Sequence, residues 1–198
     1  MKILYIVLVV ILILAINFGR KYTQKYISSK LTDYLYSGDF VNFEKLINKR
    51  YIKYLIHPFN VDFLKLNEAI FKQDKKEIEK RFNMFDNTSL TDKQKTTIYQ
   101  KAFFYYLQNE DVKKLEKYYL LIKESEDKTL FNNIDDIYKI VVLKSTDKLN
   151  QYKKAFEENN QNPMLAFLLY HMYRNSDNKK LANDYLDKFN ELVKKGVF

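Results

Sequence analysis

Tyr36-Ser37-Gly38-Asp39-Phe40 (YSGDF, residues 36–40) is the stretch on which the reading of the fold turns. A helical stripe of Tyr22, Tyr26, Ile27, Leu31 and Leu35 precedes it, and an amphipathic segment follows it. The same arrangement recurs at KQDKK (72–76), NEDVK (109–113), STDKL (145–149) and NSDNK (175–179). Each connector holds an Asp between an apolar helical pattern and a second amphipathic one. Asp39, Asp74, Asp111, Asp147 and Asp177 are separated by 35, 37, 36 and 30 residues. A period near 34 is that of a helical hairpin repeated along the chain. A short acidic side chain suits the position because it caps the second helix and favours its positive end.

Composition agrees with an all-α fold. The 198 residues contain three Gly and two Pro, too few for the turns and corners of a β-barrel of this size. Between the connectors lie segments of about twelve to eighteen residues with apolar positions at i, i+3, i+4 and i+7. Thr91-Asp92-Lys93-Gln94 has the capping-box pattern, and Asn162-Pro163 the cap and first-turn proline of a further helix. Asn60 and Asn109 are also expected as N-caps.

The spacing resembles the tetratricopeptide-repeat family. That family's first helix places bulky, small and aromatic residues at spacing 0, 3, 4 and 7. Tyr99, Ala102, Phe103 and Tyr106 fit this, as do Leu165, Leu168, Leu169 and Met172, and Ile134, Ile137, Tyr138 and Val141. Second helices match with Ile78, Phe82 and Phe85, with Leu115, Tyr119 and Ile122, and with Leu181, Tyr185 and Lys188. The last of these is polar where an apolar residue is expected. The fourth pair needs a one-residue shift. The resemblance implies a TPR-like α-solenoid of about five antiparallel hairpins over roughly residues 22–195. It also implies a concave surface formed by the first helices. Transferred by position, its inner face would carry Gln100 and Phe104, Asp135 and Lys139, and Tyr170 and Arg174. These suit a protein or peptide partner, although Phe104 and Tyr170 also suit packing between repeats. The aromatic run AFFYYL (102–107) is too apolar for one face and is expected to be buried between repeats, with a partner subunit as the alternative cover.

Ahead of the hairpins lies a different kind of sequence. Thirteen of residues 3–18 are Leu, Ile, Val or Phe. At about −0.3 to −0.6 kcal/mol each, their insertion into a bilayer is favourable by several kcal/mol. Residues 3–19 reach about 25 Å as a helix, the short limit for spanning. No A-x-A-like site follows, so the segment is expected to stay as an anchor. This gives an anchor at 1–20 and a repeat domain at 21–198. Arg20, Lys21, Lys25 and Lys30 precede the first acid, Asp33, so the positive flank favours the cytoplasm over the extracytoplasmic side for the repeats of a single-pass membrane protein. Arg20, Lys21 and Lys25 would lie against the membrane surface. No flexible linker separates anchor from repeats, so the partner is expected to be membrane-associated itself.

Other functions find less support. The absence of Cys excludes disulfides, cysteine-ligated metals and a thiol nucleophile. No catalytic or phosphate-binding motif is present, and no metal or cofactor is expected. His57 reads as a surface connector residue and His171 as a structural histidine in an apolar helix. The adjacent acids Asp135-Asp136 and Glu157-Glu158 point about 100° apart on a helix and read as solvated faces. The net charge of +9 comes mostly from Lys interleaved with acids, with only four Arg, so nucleic acid is a weak alternative partner and anionic lipid another. An accessory structural subunit of a membrane-bound enzyme or transport complex is the main alternative to a peptide-binding scaffold. Self-association stays open.

Overall fold

The computed structural model describes the backbone of residues 2–195 and the side chains of residues 17–195. It is all-helical, with no strand among the described residues. The chain divides into two compact units, residues 1–94 and 95–198.

The first unit holds α1 (Lys2–Ser37), α2 (Phe40–Ile47), a single turn α3 (Ile52–Leu55), α4 (Pro58–Phe71) and α5 (Lys75–Asp86). Helix α1 packs on α2, α3 and α4, and α4 packs on α5. Its core joins Ile27, Leu31 and Leu35 of α1 to Phe43, Ile47, Ile52 and Ile56. Tyr22 and Tyr26, expected on the same stripe, are instead exposed, because they lie about 100° or more around α1 from the buried line of Ile27, Leu31 and Leu35. The helix continues through Gly19 without a break, so the first hairpin grows directly out of the apolar segment. Among the described residues no helix is long and apolar enough to cross a membrane. The anchor expected at 1–20 has its side chains up to residue 16 outside those described.

The division falls within α6 (Asp92–Gln108), most of which belongs to the second unit. It is followed by α7 (Val112–Lys123), α8 (Lys128–Val141), α9 (Leu149–Glu158), α10 (Pro163–Asn175) and α11 (Lys179–Lys194). Helix α6 packs on α7 through Tyr106 stacked on Tyr118, ring centroids 5.7 Å apart, with Tyr99 beside them. Helix α8 touches α7 and α10, and α10 also touches α9 and α11. A core of Phe156, Ala166, Leu169, Tyr173, Ala182, Tyr185 and Leu192 joins α9, α10 and α11. In AFFYYL, Ala102, Phe103 and Tyr106 are buried, while Phe104, Tyr105 and Leu107 are half-buried.

The hairpin turns share one geometry. Gly38, Gln73, Glu110 and Asp177 all have positive φ, between 55° and 73°. Each donates its amide to the carbonyl three residues back. The next residue donates to the carbonyl five back: Asp39 to Tyr34, Asp74 to Ala69, Asp111 to Tyr106 and Asn178 to Tyr173, at 2.9–3.1 Å. This is the Schellman closure of a helix. That same next residue caps the following helix, its side chain accepting from the amide of Asn42, Glu77, Lys114 or Leu181. Two residues thus satisfy both helix ends.

Two of the five expected Asp caps are corrected. At the last turn Asp177 takes the left-handed position and Asn178 is the cap. At the fourth, Lys144 has φ +60° and Ser145 donates its amide to Lys139, one residue further back than elsewhere. Asp147 caps nothing; it accepts from the Ser145 hydroxyl. Measured on the residue after the left-handed one, the turns fall at 39, 74, 111, 145 and 178, a tighter rhythm than the Asp positions alone. Asn60 and Asn109 are not N-caps either. His57 caps α4, accepting from Phe59, whereas Asn109 follows α6 and donates to the carbonyl of Tyr105. The capping box of Thr91 and Gln94 and the Asn162 cap before Pro163 form as expected.

Candidate docking surface

The six residues expected on an inner face fall into three pairs, each one helical turn apart. Gln100 is exposed on α6, and Phe104 is half-buried with its ring edge-on to Phe103 at 5.6 Å. Lys139 of α8 is exposed and forms an ion pair with Asp135 at 2.6 Å. Arg174 of α10 is exposed and donates to the Tyr170 hydroxyl at 3.3 Å. Because α8 and α10 pack together, two of the three pairs lie on helices in contact. The Asn175 amide on α10 donates to the carbonyl of Ile140 on α8 at 2.7 Å, which fixes their register.

Asp135 and Tyr170 are committed inward. Asp135 accepts from the Tyr119 hydroxyl of α7 at 2.8 Å. Burial alone would raise its pKa, but hydrogen bonds from Lys139 and Tyr119 outweigh that and hold the carboxyl below its usual range. Burial, and then the hydrogen bond to Asp135, pushes the Tyr119 phenol up to about 12. Its ring stacks on Tyr138 with centroids 4.0 Å apart. Tyr170 packs against the second unit's core and lies 4.7 Å from His171. Gln100, Lys139 and Arg174 remain as the solvent-facing members of the set.

The acids Asp135-Asp136 are not solvated faces. While Asp135 holds Tyr119, Asp136 accepts from the Tyr152 hydroxyl of α9 at 2.9 Å and from Lys148 at 2.6 Å. Adjacent positions on α8 point in different directions and so reach the helices before and after it. Both contacts span sixteen residues. A Tyr sixteen positions on the outer side of each Asp was the available signal.

His171 is half-buried between Phe167 and Tyr170, and its Nδ1 is buried without a hydrogen-bond partner. Burial, with lesser contributions from Lys144 and Arg174, lowers its pKa to about 4, so it is neutral at physiological pH. His57 is exposed. No group of three or more His, Asp or Glu among the described residues could hold a metal ion.

In the first unit, Arg20, Lys21 and Lys25 are exposed on α1, and the Arg20 guanidinium donates to the carbonyl of Tyr54 at 2.9 Å. No protein-family model matches the chain, and no curated protein or solved structure matches it.

Proposed function

We propose that this chain is a membrane-anchored scaffold of TPR-like helical hairpins, an α-solenoid in kind, that holds a membrane-associated protein or peptide partner. Residues 3–19 form the anchor and the hairpins lie on the cytoplasmic side. The observation that carries the reading is the shared hairpin turn, four times a left-handed residue followed directly by a capping Asp or Asn. Such turns make each pair of helices a unit, and a repeated unit provides surface rather than a catalytic centre. Gln100, Lys139 and Arg174 are the contact residues, with Phe104 beside them. Asp135 and Tyr170 support them from within the fold.

The continuity of α1 supports the membrane part of the reading. A helix running unbroken from Lys2 to Ser37 would leave no tether between an anchor and the first hairpin. The partner would then be met close to the headgroups.

Site-specific photocrosslinking of the full chain in cells tests the surface. A photoreactive residue at position 100, 139 or 174 should give the same discrete adduct. The same probe at the exposed positions Lys154 on α9 and Asp184 on α11 should not. No adduct at the first three positions, or equal adducts at all five, would overturn the assignment.

A further inference from the structure

The packing face of α1 changes character along its length. Ile27, Leu31 and Leu35 are apolar and buried. Continued toward the amino end, the same face presents Gln24, Lys21, Arg20 and Asn17, at the spacing of one helical stripe. These four residues line an open cleft of about 490 Å³ whose other wall is α3 and the connection into α4, including Lys53 and His57. Across from these four residues stand Tyr54, Leu55, Ile56 and Pro58 as well as cationic and imidazole side chains. No acidic side chain lines it. The Arg20 guanidinium reaches across from α1 to the Tyr54 carbonyl on the other wall at 2.9 Å.

Three observations select the occupant. The lining brings three cations, Arg20, Lys21 and Lys53, to one concavity with no carboxylate to neutralise them. The cleft begins at Asn17, where the apolar run 3–18 ends on the same unbroken helix. Tyr54 lines it, and Phe18 and Tyr22 stand at the same level on the other side of α1, the three rings being 67%, 71% and 76% exposed. Large exposed aromatics next to basic residues at the end of an apolar helix are the composition of a bilayer interface. A nucleic acid would account for the cations but not for the exposed apolar rings or their place on the helix.

We propose that this cleft binds the phosphate of an anionic phospholipid headgroup, with Arg20, Lys21 and Lys53 as the cations that hold it. The assignment rests on the anchor reading, which puts the cleft at headgroup depth. A helix rising 1.5 Å per residue from position 3 reaches position 20 after about 25 Å, close to the edge of the hydrocarbon layer. Bound lipid would then fix the first hairpin against the membrane through α3 as well as through α1.

The test uses the full chain in nanodiscs of phosphatidylcholine, with or without phosphatidylglycerol, and reads lysine acetylation by mass spectrometry. Phosphatidylglycerol should slow acetylation of Lys21 and Lys53 by about threefold or more, as expected for a cation engaged by an anionic headgroup. Lys25, exposed on α1 but outside the cleft, should be slowed clearly less than Lys21 and Lys53, and Lys154 in the second unit should change little. Arg20→Gln should relieve the protection of Lys53. A chain that inserts but shows no such slowing overturns the assignment alone. Equal slowing at Lys25 overturns it in favour of diffuse attraction, and equal protection by millimolar inorganic phosphate in phosphatidylcholine discs overturns the lipid as the ligand. A chain that does not co-purify with the discs overturns the anchor, and this assignment with it.

Discussion

The turn at Asp111 and the connection after Lys144 join a first helix to a second in different ways. At Asp111 one residue after the left-handed Glu110 is enough, because Glu110 closes α6 and Asp111 starts α7. After Lys144 the chain needs four residues before α9, and the residue preceding that helix, Lys148, makes no side-chain cap. The lost cap is replaced from the side: Asp136 on α8 holds both Lys148 and Tyr152 of α9. Local backbone geometry and a long-range side-chain tether are therefore interchangeable means of holding a second helix to its first. The tether is costlier to break, since it leaves a half-buried hydroxyl and an ammonium without their partner.

Substitutions in the two connections should differ in their cost, the tether giving the largest effect. Asp136→Ala should destabilise the fold by about 2 to 3 kcal/mol, the range for losing hydrogen bonds to a charged group. Adding Tyr152→Phe should recover part of that loss, because the orphaned hydroxyl is then removed; a double-mutant cycle by urea denaturation measures it. Full additivity of the two changes would show that Asp136 does not act through Tyr152.

His171 comes next, since its buried nitrogen has no such tether. Its folded pKa of about 4 lies below the ordinary value of 6.5. Protonation therefore favours the unfolded chain, and the stability that neutral His171 supports is present above pH 6.5 and lost as the pH falls toward 4. Allowing for its partial exposure, the loss is about 2 kcal/mol. Between pH 7 and 4.5 the parent protein should lose about that much more than His171→Phe, read from denaturation midpoints at each pH.

The caps themselves should give smaller effects. Asp111→Ala should cost about 1 kcal/mol, while Asp147→Ala should cost less than about 0.5 kcal/mol because it caps no helix. Equal costs would remove the distinction between the two connections. Smallest is a gain: Glu110→Gly relieves a left-handed non-glycine residue and should stabilise by about 0.5 kcal/mol, the glycine's own chain entropy offsetting the rest.

These contrasts also mark what could be read in advance. Asp39, Asp74 and Asp111 were legible as caps because a carboxylate before an amphipathic run has a local physical purpose. The stripes through Ile78, Phe82 and Phe85 and through Ala102, Phe103 and Tyr106 were legible from their period, and all six residues are buried. The left-handed residues Gln73, Glu110, Lys144 and Asp177 were not, since only Gly38 advertises that conformation in its identity. Asn178 was overlooked beside the more conspicuous Asp177. The tethers of Asp135 and Asp136 stayed hidden because which Tyr meets which Asp depends on how two helices pack. For the same reason, three exposed residues on first helices could be named as a surface, but the inward commitment of Asp135 and Tyr170 could not.

By the proposed function, this chain is held at a membrane by its own first helix. Carbonate extraction of membranes from cells expressing the full chain, followed by intact-mass measurement, tests it most directly. The expected result is a chain that stays in the pellet with residues 3–19 still attached. Release into the supernatant, or a mass showing cleavage near residue 20, would contradict the account.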